Sequence, residues 1–210
     1  MDDTTEKINE MQKDVLKEIA NIGSGHAATA LAGLLNRPIV QSVPRIELVP
    51  LSGMADLLGG AEKVAVAGML EISGAFSGFL ILFLDLEQAE KIISMVKGKP
   101  AKHSARMSLE RFSQLDRSVL SEVVNILGGS YLTAISELSG LGAMPSVPCL
   151  CVDMVGSILS IAAAEMGKSG DYAVLFKSEL YNDKDRIIGD LFLLPDEISC
   201  KKMLELLGIV

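Results

Sequence analysis

Two groups of polar residues with the same spacing lie in the two halves of this chain. The first group is Asp14, Glu18, Asn21 and Gly25, and the second is Ser118, Glu122, Asn125 and Gly129. In each group the Glu and the Asn would offer a carboxylate and a carboxamide to a partner. These two groups can form hydrogen bonds with it. The glycine leaves a bare patch of backbone where a partner could approach closely.

The two groups belong to an internal duplication. Residues 14–44 and 118–148 align without a gap at an offset of 104 positions, and twelve of the 31 pairs are identical. Lys17 is replaced by Ser121 and Gly23 by Leu127, whereas the Glu, the Asn and the Gly are the same in both copies. The repetition favours a functional role over the alternative of an ordinary solvated helix surface.

The spacing of four, three and four residues places each group on one face of an α-helix. At about 100° per residue, the four positions fall within an arc of roughly 60°. The opposite arc of the first copy is apolar and is expected to face the core: Val15, Leu16, Ile19, Ile22, Ala27 and Ala30. Asn and Gly are poor helix formers, Gly by about 1 kcal/mol relative to Ala, so helix stability does not explain their presence.

No other pattern in the sequence indicates a catalytic or metal site. There is no lysine-containing phosphate loop, dinucleotide-binding glycine motif or nucleophile elbow. His26 and His103 are the two histidines, and no cysteine pair has zinc-binding spacing, so we predict no metal of the protein's own. Cys149, Cys151 and Cys200 are interpreted as reduced packing residues.

The composition indicates a globular protein without nucleic-acid or membrane partners. Hydrophobic residues make up 49% of the chain, the formal net charge is -8, and nucleic acid or an anionic membrane would repel that charge. No uninterrupted apolar run approaches the roughly 18 residues of a membrane span, and the acidic start has no hydrophobic signal segment. We expect a cytoplasmic monomer that acts on a protein partner.

The hydrophobic pattern predicts the same order of elements in both halves. Helices are predicted at 3–36, 85–96 with Asp85 as N-cap, 113–139 and 196–207, and strands at 39–51, 64–72, 76–84, 149–155, 172–180 and 187–194. We predict one α/β (α+β) domain, residues 1–210. Its two pseudo-symmetric helix–strands–helix halves, about 3–97 and 107–210, share one mainly antiparallel sheet, and the long motif helices are exposed on one side.

The repeated motif resembles the signature of the CheC, CheX and FliY family of chemotaxis phosphatases. That signature, Asp or Ser followed by Glu four positions later and Asn three positions after that, occurs twice in this chain. Two copies in about 200 residues resemble the CheC type, because CheX carries one such site per chain. FliY adds a C-terminal flagellar-switch domain that has no counterpart in these 210 residues.

The resemblance implies hydrolysis of the aspartyl phosphate on the response regulator CheY. Asn21 or Asn125 would hold a water in line with the phosphorus, while Glu18 or Glu122 would pair with a lysine of the regulator. Mg²⁺ would be bound by the regulator, so the chain would need no cofactor of its own. Gly25 and Gly129 would admit the partner to the helix backbone.

The position four residues before each Glu, Asp14 or Ser118, is given only a hydrogen-bonding or orienting role. The receptor deamidase CheD is a second partner implied by the resemblance. The alternatives are an adaptor that binds CheD with weak phosphatase activity, a structural component of the flagellar switch, and a plain ligand-binding α/β domain. Intact Glu and Asn in both copies favour the phosphatase.

Overall fold

A computed structural model describes residues 10–41, 45–99, 108–166, 172–181 and 186–206. The helices in the described ranges are α1 (Glu10–Leu35), α2 (Met54–Leu57), α3 (Leu86–Lys97), α4 (Gln114–Ser139), α5 (Val155–Met166) and α6 (Glu197–Leu206). The strands are β1 (Val40–Gln41), β2 (Arg45–Pro50), β3 (Val64–Gly74), β4 (Gly78–Leu84), β5 (Ala143–Pro145), β6 (Cys149–Met154), β7 (Tyr172–Tyr181) and β8 (Arg186–Pro195). Short 3₁₀ turns precede α2 and α4.

The strands form one sheet in which the edge strands of each half pair with a strand of the other half. Strands β7, β8, β4 and β3 lie side by side, β1 and β2 pair with β7, and β5 and β6 pair with β3. Every pairing is antiparallel. At the centre, Ile81 of β4 is opposite Phe192 of β8, and these two positions are equivalent in the repeat. The first strands of each half are therefore paired only with the other half, so the halves are interlocked around a pseudo-two-fold axis.

The sheet separates two hydrophobic cores. Leu80 and Leu82 of β4 belong to the larger core, which also contains buried residues of α1, α3 and α4. Ile81 and Phe83 belong to the smaller core on the other face, together with residues of α2 and α5. Because both faces of β4 are covered, its sequence is a continuous apolar run.

Helices α1 and α4 pack against each other over the larger core. A Cβ atom at Gly23 would lie 3.0 Å from the backbone and ring of Tyr131, so the glycine allows this close contact. Tyr131 is 1% exposed, and its ring lies 4.9 Å from that of Phe176 in β7. The contact locks α1, α4 and the sheet together and leaves the opposite faces of both helices in solvent.

Helix α4 is long and apolar enough to span a membrane by length and composition alone. However, 61% of its most apolar 18-residue window is buried within the protein. Its apolar character is accounted for by its contacts with α1, α3 and the sheet, which makes it a core helix.

The start of α4 is fixed by a capping box and two charge pairs. Ser113 accepts a hydrogen bond from the backbone N–H of Asp116, whose carboxylate accepts one from the backbone N–H of Ser113. The Asp116 carboxylate also pairs with Lys97 of α3 at 2.6 Å. Next to them, Arg111 pairs with the buried carboxylate of Glu90 at 2.5 Å. These contacts hold the N-terminus of α4 against α3.

The predicted fold class and the shared antiparallel sheet are confirmed. The long helices match α1 and α4 within a few residues, although the predicted residues 3–9 lie outside the described ranges. Three elements were not predicted: α2 in the turn-rich segment after β2, β5 in the glycine- and proline-containing connection after α4, and helix α5. The two short elements, α2 and β5, have too few residues to produce a hydrophobic period, and α5 is apolar along most of its length, which hides its period.

Three details differ from the expectations. Asp85 occupies the N-cap position of α3 with an extended backbone, but its side chain makes no capping hydrogen bond and lies 3.8 Å from Lys63. Ala30 was expected in the core but is exposed. Near the end of α1 the buried residues follow steps of four, as Ala27, Leu31 and Leu35 do. Because four residues exceed one helical turn, this row moves around the helix and Ala30 lies outside it.

The cysteines divide into two classes. Cys149 is exposed, so its interpretation as a packing residue is wrong, whereas Cys151 packs against the smaller core. Burial raises the pKa of the Cys151 thiol to about 11, and the neighbouring Cys149 and Asp153 add to the effect. The two residues are two positions apart and lie on the same face of β6, where Cys149 is opposite Met69 and Cys151 is opposite Ala67 of β3. The side chain of Cys200 lies outside the described part.

We expect Asp116→Asn to destabilise the protein by about 1 kcal/mol at pH 7, since it weakens both the cap and the pair with Lys97. Burial alone would raise the pKa of Asp116, but the hydrogen bonds from Lys97 and Ser113 outweigh it and hold the pKa below its usual value. The carboxylate therefore stabilises the fold above the unfolded pKa of about 4, and the effect is lost as pH falls through the lower folded pKa.

Urea unfolding of the parent and of Asp116→Asn at pH 7, 5 and 3 measures this contribution. The difference between the two proteins should narrow at pH 3. Glu87→Gln is the matched control, because Glu87 also pairs with a lysine of α3 but is fully exposed. A difference that stays constant from pH 7 to pH 3 would show that the Asp116 charge is not involved.

Candidate functional site

Helix α1 carries the first polar group on its outer face. Asp14, Glu18, Asn21 and Gly25 are all exposed. The helix is held in this orientation by its opposite face, where Leu16 is 2% exposed and Ile19 is 5% exposed. The helix is continuous through Gly23, Gly25 and Gly33, and it ends at Asn36, whose φ of 50° lies in the left-handed region before Arg37-Pro38.

Helix α4 repeats this arrangement. Ser118, Glu122 and Asn125 are exposed, and Gly129 is partly exposed. On the opposite face Leu120, Val123 and Val124 are at most 3% exposed and pack into the larger core. The structure therefore presents a Glu and an Asn to solvent on each of the two packed helices, as the spacing predicted. We call the two groups the first and the second polar stripe.

The Asn side chains are available to a partner. Within the described ranges, neither Asn21 nor Asn125 uses its amide in a hydrogen bond. The carboxylates of Glu18 and Glu122 are likewise directed to solvent, with no ion pair to another described residue. The Glu and Asn side chains of both stripes are therefore not used in contacts with other described residues.

The first residue of each stripe makes a local contact. Asp14 accepts a hydrogen bond from Lys17 at 2.9 Å, and both side chains are largely exposed. The Ser118 hydroxyl donates to the backbone carbonyl of Gln114, one turn earlier, at 3.1 Å. Neither contact reaches the Glu or the Asn of the same stripe, so the proposed orienting role of this position stays a prediction.

The stripe glycines differ from the other glycines of the same helices. A Cβ atom at Gly25 or Gly129 would meet no atom within 4 Å. At Gly23 it would press on Tyr131, and at Gly128 it would lie 2.2 Å from Leu70. Gly23 and Gly128 are needed for packing, whereas no contact among the described residues requires a glycine at the two stripe positions.

A shallow groove of about 520 Å³ lies beside the second stripe, between α4 and β5. It is lined by Gly129, Leu132, Thr133, Ser136, Glu137, Ala143 and Pro145. Sequence reasoning did not predict this groove, because β5 was not recognised as a strand. The available signal was the triplet Ser42-Val43-Pro44, which recurs as 146–148 directly after β5.

The described residues include no group of three or more His, Cys, Asp or Glu side chains that could share a metal ion. The two stripes have in common one Glu carboxylate and one Asn amide on an open surface. Such a surface can bind and orient a water or a partner's side chain, but it offers neither a nucleophile nor an enclosed pocket.

The comparisons with known proteins place these stripes in a family. The profile of the "CheC-like family" matches residues 11–48 and 115–150, which are the two copies of the repeat. "CheY-P phosphatase CheC" of Bacillus subtilis (strain 168) is 34% identical over 203 residues, covering 96% of each protein.

Two solved structures share the fold. The crystal structure of Thermotoga maritima FliY superposes with a TM-score of 0.74 at 21% identity, covering 96% of this chain and 98% of that one. A chain of the crystal structure of the CheX–CheY–BeF3–Mg²⁺ complex from Borrelia burgdorferi superposes with a TM-score of 0.54 at 16% identity, covering 86% of this chain and 99% of that one. One relative matches along 96% of the chain, and the family profile matches both copies of the repeat. The chain therefore belongs to the CheC-like family.

Proposed function

We propose that the chain is a phosphatase that hydrolyses the aspartyl phosphate of a CheY-like response regulator, with one catalytic stripe on each long helix. The observation that carries this proposal is the pair of solvent-facing Glu and Asn residues, present twice with the same spacing on helices whose inner faces are fixed by the core. The related B. subtilis protein that matches over 96% of its length is named a CheY-P phosphatase.

The chemistry of the substrate suits such a surface. An acyl phosphate has a good leaving group, so its hydrolysis depends mainly on placing a water in line with the phosphorus. The carboxamide of Asn21 or Asn125 can hold that water, because an amide both accepts and donates hydrogen bonds. The carboxylate of Glu18 or Glu122 would pair with a lysine of the regulator and fix the position of the helix in its active site.

The partner would supply the stabilisation of charge that the stripe itself does not provide. The developing charge on the phosphoryl oxygens needs a cation, and Mg²⁺ bound by the regulator would supply it. The related CheX structure holds CheY together with BeF3 and Mg. Gly25 and Gly129, where a side chain would meet no atom of this protein, would let the regulator contact the helix backbone.

Family membership also supports three further proposals. We propose that the chain binds the deamidase CheD, that it acts in the cytoplasm and that it is a monomer. A pull-down with purified CheD, using the parent and the variant with both Asn residues replaced, would test the first. Retention of CheD by both proteins would indicate an interface separate from the stripes.

We expect Asn21→Ala and Asn125→Ala each to retain part of the phosphatase activity, and the double variant to lose about a hundredfold or more. The reason is that each amide positions the water at its own stripe. The measurement is the decay of a regulator phosphorylated with a small-molecule donor. Glu62→Ala, an exposed carboxylate next to β3 and away from both stripes, is the control for surface substitution. Parent-like decay with the double variant would show that the stripes are not the active sites.

We expect Asn21→Asp combined with Asn125→Asp to be as inactive as the double Ala variant. A carboxylate has nearly the size of the amide, but it cannot donate a hydrogen bond and it repels the phosphoryl oxygens. The same decay assay, with circular dichroism to check folding, measures this. Turnover equal to that of the parent would contradict the water-positioning role of the amide.

We expect Gly25→Ala combined with Gly129→Ala to stabilise the fold while slowing turnover. Alanine favours the helix by about 1 kcal/mol per site, and there is space for each methyl group, so Tm should rise by several degrees. KM for the phosphorylated regulator should rise, because the methyl groups hold it off the helix. Gly128→Ala is the packing control and should lower Tm, since its Cβ would clash with Leu70. Higher Tm with unchanged KM would remove the role of these glycines in docking.

A further inference from the structure

Three sulfur-containing side chains lie on one face of the sheet, where strand β6 pairs with β3. Cys149 is directly opposite Met69, and Cys151 is opposite Ala67. Paired residues of an antiparallel ladder point to the same face, as do residues two apart on one strand. Met69 and Cys151 both pack against the smaller core, so this is the face that carries α2 and α5. The two thiols and the thioether are therefore neighbours on the face opposite the motif helices.

This group of sulfur atoms is accessible to an ion from solvent. Cys149 is exposed, and Cys151 and Met69 are half-buried. Within the described ranges β6 pairs with β3 and with no other strand, so it lies at an edge of the sheet. Asp153 follows on the same face, but a carboxylate is a hard ligand that soft metal ions bind weakly. The donors that distinguish this edge are the sulfur atoms.

The spacing of the two thiols fits a shared metal ion better than a disulfide. Two residues of an antiparallel strand span about 6.8 Å, whereas the Cβ atoms of bonded cysteines are only roughly 3.5–4.5 Å apart. An ion with metal–sulfur bonds of about 2.3 Å holds two sulfur atoms up to about 4.6 Å apart. Two cysteine side chains that lean toward each other along the strand reach that separation without a shift of the backbone. Regular strand geometry therefore disfavours the disulfide and permits chelation.

Met69 can supply a third sulfur ligand. The Cβ atoms of directly opposed residues are about 5 Å apart, and the methionine side chain is long and unbranched, so its sulfur can reach an ion held by the two thiols. Thiolate and thioether ligands together select Cu(I). Zinc in structural sites takes four ligands, and the one histidine of the described ranges, His26, lies on α1 across the sheet.

We propose that Cys149, Cys151 and Met69 form a binding site for Cu(I) at the edge of the sheet. On binding, both thiols lose their protons to solvent, two copper–thiolate bonds form, the thioether donates a lone pair, and copper remains in the +1 state. Met69 belongs to the first half of the repeat and both cysteines to the second, so the ion connects β6 to β3 and one half to the other. The inference concerns a surface separate from the stripes and does not rest on the proposed function.

Competition with bicinchoninate, a chelator that is coloured when it binds Cu(I), measures the affinity of the full chain under anaerobic reducing conditions. The parent protein should take one equivalent of Cu(I) from the chelator. Cys149→Ser should weaken binding by at least about a hundredfold and Met69→Leu by about tenfold, since each removes a direct ligand. Cys200→Ser should bind as the parent does. Met144→Leu is the matched control for Met69→Leu, because Met144 is on the same face but opposite Ser73, four residues farther along β3.

Two further measurements report the site directly. X-ray absorption at the copper edge should show three sulfur neighbours at about 2.3 Å. Cu(I) should raise the Tm of the parent and leave that of Cys149→Ser unchanged, because an ion that binds the folded state stabilises it. Cys149 is exposed, so this variant folds whether or not Cys151→Ser does. Failure of the parent to take Cu(I) from the chelator, parent-like affinity of Cys149→Ser, or loss of binding in Cys200→Ser would overturn the site.

Discussion

The packing of α1 against α4 over one face of the sheet is the contact on which both stripes depend. Gly23 lies against the ring and backbone of Tyr131, and the ring in turn packs on Phe176 of β7. Because the inner face of each helix is fixed by this core, the direction of its outer face is fixed as well. The outer face contributes little to stability, so it can carry Asn and Gly residues that would be unfavourable in a helix selected for stability alone.

The duplication has diverged where the two copies touch, whereas the Glu, the Asn and the Gly of the stripes are the same in both copies. At the helix contact, Gly23 and Ala27 of α1 correspond to Leu127 and Tyr131 of α4, so small residues on one helix accommodate large ones on the other. Two identical helices could not fit together in this way. The edge strands connect the two halves further, because β2 of the first half pairs with β7 of the second, and β6 of the second half pairs with β3 of the first. A single half would lack both the partner helix and an edge strand.

The sequence was informative wherever a pattern extended over several turns or a whole strand. The repeat and the helical period predicted α1, α4 and the exposure of Glu18, Asn21, Glu122 and Asn125, because side-chain direction on a long helix follows from its period. Short elements such as α2 and β5 could not be predicted, since they depend on tertiary contacts. The outward turn of Ala30 depends on the angle at which α1 crosses its neighbours, which a helical wheel does not contain.

An active site of the proposed kind, on an open helix face, would restrict the chemistry to what a partner can complete. The stripe offers an amide and a carboxylate but no cation, nucleophile or enclosing wall, so low dielectric and charge stabilisation must come from the molecule that covers it. Selectivity then has to come from the fit around the stripe, because an exposed Asn by itself distinguishes few partners. The two stripes share their Glu, Asn and Gly but not their surroundings, since Lys17 and Gly33 near the first correspond to Ser121 and Glu137 near the second. Divergence there, with the Glu and the Asn unchanged, would allow one protein to act on two regulators, or on one regulator with two affinities, without altering the chemistry at either site.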